Sequence, residues 1–183
     1  MELAPETLLK TSFSRCSEKS YVNLERGLKA SDRNSGHTVQ GHIDGTGEIL
    51  SIVPDGVSLR VTISTKRISL DPIERAYMNS LIVPKGFIAV DGASLTVCDV
   101  NPKDEYFTLM LIPHTQAVLR KWEKGEFLNI ELDCMAKYMS STMRAFVDPV
   151  ISSLQSRAHR AEILAYAAVF VCCASIGFRI FSR

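Results

Sequence analysis

Two short strings recur in this chain in the same order and at nearly the same interval. Leu3-Ala4-Pro5-Glu6-Thr7 matches Leu111-Ile112-Pro113-His114-Thr115, and Val22-Asn23-Leu24-Glu25 matches Leu128-Asn129-Ile130-Glu131. The offsets, 108 and 106 residues, predict two copies of a structural unit of about 107 residues. Only some 30 residues precede the point where the second copy must begin, so the first copy is represented by its last third alone.

The body, from about residue 37 to 133, reads as β. Val57, Leu59, Val61 and Ile63 alternate with Ser58, Arg60, Thr62 and Ser64, a period of two with one buried face. Gly47–Val53 precedes this run across a Pro54-Asp55-Gly56 turn. Phe87–Val90 and Ser94–Cys98 flank Asp91-Gly92, a hairpin signal. Tyr106–Ile112 and Phe127–Leu132 bring the count to about six strands. Helical patches are short: Pro72–Asn79 after an Asp71 N-cap, and Thr115–Trp122. Short strands with tight Asp-Gly turns predict an all-β fold, a small six-stranded Greek-key barrel.

The last 45 residues differ. Alternation stops near Lys137, and 139–183 reads as a helical C-terminal extension. Within it, 163–178 carries no charge. At about 1.5 Å per residue this run falls short of a hydrocarbon core of about 30 Å, but extension to Phe181 brings it close if Arg179 snorkels. Arg157, His159 and Arg160 precede it as a cytosolic flank would. Two readings stand: a membrane anchor over 163–181, or a helix packed on a partner subunit. Residues 151–183 carry a net charge of +3 and the preceding 150 a net −2, which is no electrostatic footprint for nucleic acid. Five cysteines, no C-x-x-C and no secretory n-region predict free thiols, a cytoplasmic chain and no zinc site.

Gly36-His37-Thr38-Val39-Gln40-Gly41-His42-Ile43-Asp44-Gly45-Thr46-Gly47 and Lys85-Gly86-Phe87-Ile88-Ala89-Val90-Asp91-Gly92-Ala93-Ser94-Leu95-Thr96-Val97 are followed by Leu111–Thr115 and Asn129–Asp133. In combination they resemble riboflavin synthase, the two-barrel lumazine-binding family, over Leu3 to Tyr138. The resemblance implies two six-stranded barrels per subunit, a C-terminal helix that helps trimerise, and no metal or redox cofactor. It implies dismutation of two molecules of 6,7-dimethyl-8-ribityllumazine to riboflavin and 5-amino-6-ribitylamino-uracil, in a site between barrels of neighbouring subunits. On that footing 1–36 is the remnant of a first barrel, with its last strand at Tyr21–Glu25, and 37–138 is a complete second barrel.

Carried over by position, the resemblance places substrate contacts on Gly41, His42 and Ile43; on Lys85; on Ser94, Leu95 and Thr96; and on Leu111, Ile112, Pro113, His114, Thr115 and Gln116. Asp133, His42 and Ser94 are the catalytic candidates. Leu3, Ala4, Pro5, Glu6, Thr7 and Leu8 match one ligand strip of the first barrel. Each assignment has a plainer rival: a hydrogen-bonded barrel histidine at 42, a solvated turn lysine at 85, a helix cap at Asp133. His37 and His42 lie five positions apart, on opposite faces of an extended strand, which disfavours joint chelation. Ser94 and Thr96 share a face opposite Leu95, so their hydroxyls point out of the barrel if Leu95 points in.

The departure from the family pattern is the nearly absent first barrel. One or two strands cannot close a barrel. Three readings follow: a shortened form of an ordinary synthase, a binding-only protein with one lumazine or flavin site, or a relic, membrane-tethered or structural. The leading expectation is ligand binding with little turnover by this chain alone, and homotrimerisation in the full enzyme.

Overall fold

A computed structural model describes residues 2–180, with side chains through 164. The chain divides into two compact units, 1–137 and 138–183. In the first unit six antiparallel strands close a barrel: β1 (Gly45–Asp55), β2 (Ser58–Ser64), β3 (Phe87–Val90), β4 (Ala93–Asn101), β5 (Tyr106–Leu111) and β6 (Phe127–Leu132), in the spatial order β1-β2-β5-β4-β3-β6. The alternation that marks the strands in sequence becomes the inside and outside of the barrel. Ile49, Val61, Ile63, Ile88, Val90, Val97, Phe107, Leu109, Leu128 and Ile130 are all at most 1% exposed and form one core cluster. Leu95 joins that cluster, so Ser94 and Thr96 face outward.

Tight turns follow their local chemistry. Asp91 (φ 47°) and Gly92 (φ 83°) connect β3 to β4 with two left-handed residues, which matches the right-handed twist of the flanking strands. Gly47 is required for a different reason. A Cβ there would lie 2.5 Å from Ile130 Cδ1 and 2.6 Å from Ile63 Cγ2, so a side chain cannot enter without moving the core.

Helix α1 (Pro5–Lys10), α2 (Pro72–Ser80) and α3 (Pro113–Val118) are short, and α4 (Cys134–Ile180) is long. The Asp71 carboxylate accepts hydrogen bonds from the Ile73 and Glu74 N–H groups, which cap α2 and hold its own pKa below the usual carboxylate range. Two expectations need correction. The helix read at Thr115–Trp122 instead begins at Pro113 and ends at Val118: proline suits the first turn, and Trp122 leaves the helix to join the core. Tyr21–Glu25 is not a strand; residues 16–44 carry no helix or strand, and Tyr21 and Leu24 are exposed. No neighbouring strand takes up its backbone groups.

One of the two matched strings takes the same form at both places. Helices α1 and α3 are both six residues long, both open on proline, and lie 108 positions apart. Asn129 Oδ1 accepts from the Ser12 N–H (2.7 Å), two residues past the end of α1. Its counterpart Asn23 Oδ1 accepts from the Arg120 N–H (3.0 Å), two residues past the end of α3. The asparagine of each matched string therefore bonds the chain just beyond the helix of the other.

The second unit is the continuation of α4. Met139, Met143, Phe146, Val150 and Leu154 are all more than half exposed. Among the described residues no helix is long and apolar enough to cross a membrane; the anchor expected over 163–181 falls almost wholly outside them, because the side chains of 165–183 are not described.

Candidate functional site

Strand pairing sets Glu131, Ala89 and Ser94 side by side on the outer face of the barrel, across β6, β3 and β4. An outward position on a small barrel is ordinarily wet. Here Glu131 is 2% and Ala89 1% exposed. The segment 36–42 covers them. Its backbone N–H groups at Gln40, Gly41 and His42 all donate to the Glu131 carboxylate, at 2.7, 2.8 and 3.0 Å. Gly41 takes φ 76°, which lets three successive amides converge on one carboxylate. At the other end the His37 N–H donates to Ser94 Oγ (3.2 Å), and His37 Nδ1 lies 2.7 Å from the same oxygen. The His37 ring stacks on Phe87, 5.2 Å between centroids and 14° between planes.

The predicted contact residues fall into separate groups around this face. Gly41 and His42 are exposed at the Glu131 end, and Ile43 is half-buried beside them. They line a cavity of about 380 Å³ with Ala4, Glu6, Thr7 and Lys10, so part of the N-terminal strip faces the start of the barrel; Leu3, Pro5 and Leu8 are exposed outside that lining. Lys137 closes this cavity through an ion pair with Asp44 (2.7 Å), whose carboxylate also accepts from the Leu132 N–H. Thr96 is exposed opposite Phe87 in the β3–β4 register. Lys85 (φ 66°) donates its backbone N–H to Val97 O, beside Thr96, while its side chain is exposed.

Leu95 and Leu111 point into the core and present only backbone to the outside. Ile112, Pro113 and His114 are exposed at the start of α3, and Thr115 is half-buried. Gln116 turns back to donate to Leu111 O (2.7 Å). Asp133 is half-buried and Asp133 Oδ1 accepts from the Met135 N–H (3.0 Å), a cap on α4. The three catalytic candidates are thus dispersed. Ser94 and His42 sit at opposite ends of the covered row, and Asp133 is engaged at the head of α4. Among the described residues no cluster of His, Cys, Asp or Glu forms a metal site.

A second polar centre was not anticipated from sequence. Asp91 accepts from the Asn129 N–H (2.8 Å) and from Arg120 Nη2 (3.0 Å), while Arg120 Nη1 also reaches Glu126 (3.0 Å). Burial pushes the Asp91 pKa up, outweighing the Asn129 N–H and Arg120, which pull it down. Burial works against the Arg120 charge, yet Glu126 and Asp91 outweigh it and hold its pKa above the ordinary arginine value. The cluster lines a cavity of about 1080 Å³ whose opposite wall is residues 12–25. The hairpin signal at Asp91-Gly92 was legible; the ion pair was not, because Arg120 lies 29 positions away.

These features define a class: a closed six-stranded barrel with a polar, partly covered face on its outer wall. Residues 40–133 match the family model described as the lumazine binding domain. The chain is 36% identical over 156 residues to riboflavin synthase of Schizosaccharomyces pombe, covering 84% of this chain and 70% of that protein. It is 41% identical over 140 residues to riboflavin synthase of Actinobacillus pleuropneumoniae, covering 75% of this chain and 60% of the relative. The riboflavin synthase of Bacillus subtilis is 36% identical over 141 residues, at 76% and 60% coverage. The chain belongs to the riboflavin synthase family of lumazine-binding barrel proteins, and spans roughly 60–70% of the length of these three relatives. A solved structure of LumP complexed with 6,7-dimethyl-8-(1'-D-ribityl) lumazine shares the fold, with a TM-score of 0.55 at 18% identity over 70% of this chain and 64% of that one.

Proposed function

We propose that this chain binds 6,7-dimethyl-8-ribityllumazine and riboflavin on the outer face of its barrel, as part of a riboflavin synthase-type transferase. The family match over 40–133, which includes the whole covered face, carries this reading. The chemistry asks little of the protein. The lumazine 7-methyl group is a carbon acid because the heteroaromatic ring delocalises the carbanion. One lumazine gives a four-carbon unit to the other, and the products are riboflavin and 5-amino-6-ribitylamino-uracil. Holding two rings face to face and moving protons suffices.

In this reading Thr96, Lys85 and the backbone at 94–96 meet the polar edge of the ring. Gly41–Ile43 and Leu111–Gln116 flank it. Ser94, His42 and Asp133 are the proton-handling candidates. One barrel holds one lumazine, so the chain alone binds without appreciable turnover, and an added intact first barrel restores riboflavin formation. The exposed apolar residues of α4, at spacings of three and four from Met139 to Leu154, support self-association as a homotrimer. The free thiols of Cys16, Cys98 and Cys134 fit a cytoplasmic location.

The test is a fluorescence titration of the purified chain with 6,7-dimethyl-8-ribityllumazine. Saturable one-to-one binding is expected, and Thr96→Val is expected to weaken it about threefold to tenfold, the worth of one hydrogen bond. Absence of saturable binding, or normal riboflavin production by the chain alone, would overturn the reading.

A further inference from the structure

The contact between His37 and the outer face has the form of a ring site filled by the protein itself. The His37 imidazole lies nearly parallel to Phe87, and its edge is held by Ser94 Oγ. The Gly36 backbone presses on the same serine, where an added Cβ would lie 2.5 Å from Oγ and 2.8 Å from Cβ. Ser94 Oγ accepts the His37 backbone N–H and makes a second hydrogen bond with His37 Nδ1, as donor or acceptor according to the imidazole tautomer. A neutral imidazole that accepts at Nδ1 carries its proton on Nε2. His37 Nε2 is buried and has no hydrogen-bond partner. The closed arrangement therefore contains a flat ring, a bonded edge and one unsatisfied buried ring nitrogen, an arrangement that water or another polar partner would relieve on opening.

We propose that residues 36–37 form a strap that occludes a heteroaromatic-ring slot on Phe87 and Ser94. The bound lumazine or flavin ring displaces His37, stacks on Phe87 and takes over the Ser94 hydroxyl. This rests on the ligand reading above and adds to it a residue that sets affinity by competition. The displaced strap stays attached at its other end, where Gln40, Gly41 and His42 remain bonded to Glu131. A pyrimidine edge, with its N–H and C=O groups, can meet a serine hydroxyl as the imidazole does.

The experiment is the same lumazine titration on wild type, His37→Ala and Gly36→Ala. His37→Ala removes the competing ring. Gly36→Ala keeps the ring and forces the strap off Ser94 by its Cβ. Both are expected to bind lumazine more tightly, by about tenfold, the gain expected where the open state is a minor population. In wild type, the His37 ring proton resonances should leave the shielding of Phe87 as lumazine is added, a readout that needs no variant to fold. Unchanged or weaker binding by both variants, with wild-type binding intact, would overturn the strap and leave the ligand reading standing. Retention of the His37 shielding at saturation would also overturn it. Failure of all three proteins to bind would overturn the ligand reading, and the strap with it.

Discussion

Glu131→Ala is expected to destabilise the barrel by about 3–4 kcal/mol, because it strands three backbone N–H donors around a buried site. Each bond to an ionised acceptor is worth about 1.5–3 kcal/mol, and the losses do not add in full because the loop can open to water. Glu131→Gln keeps the volume but not the charge and can accept at one oxygen, so a smaller loss is expected. Urea unfolding monitored by Trp122 fluorescence measures both, since Trp122 is buried in the core. Ligand affinity should fall alongside stability, because the same carboxylate sets the position of Gly41 and His42. A loss below about 1 kcal/mol for the alanine variant would show that the three amides find water at no cost.

Arg120→Met is expected to cost about 2–4 kcal/mol at neutral pH and clearly less near pH 4. The arginine side chain is 21% exposed, which places the effect below that of a fully buried pair. Without it, Asp91 keeps the Asn129 N–H but loses its cation, and its carboxylate is 9% exposed. Burial already raises the folded-state pKa of Asp91, and removal of Arg120 raises it further. An acid whose folded pKa exceeds its unfolded value favours folding most at low pH, where it is protonated in both states. That contribution is lost as pH rises through the folded value. The penalty of Arg120→Met therefore grows with pH from the ordinary carboxylate range upward. Unfolding of both proteins at pH 4 and pH 7 gives the difference directly. An equal loss at the two pH values would assign the effect to lost packing of the arginine stem instead.

Most of the barrel was readable because its rules are local. A period of two over Leu59–Ile63, Asp-Gly turns and the Asp71 cap each involve neighbours within a few residues, and all reappear in the fold. Tyr21–Glu25 was misread for the converse reason. Its alternation matches that of β6, but a strand exists only where another strand accepts its hydrogen bonds, and Asn23 instead serves Arg120. The candidate contacts could be named from sequence as stretches but not as an arrangement. Ser94 was named, yet nothing in its neighbourhood along the chain announces His37, 57 positions away.

Glu131 shows where the division falls. Its place in Asn129-Ile130-Glu131-Leu132 assigns it an outward side chain, and that assignment holds against the barrel geometry. Outward in a strand pattern ordinarily means solvated, whereas here a segment about 90 residues earlier folds over it and turns three amides toward its carboxylate. Alternation depends on the backbone of one strand and is written in the residues themselves. Burial of an outward face depends on which distant segment crosses it, and only the closed chain settles that.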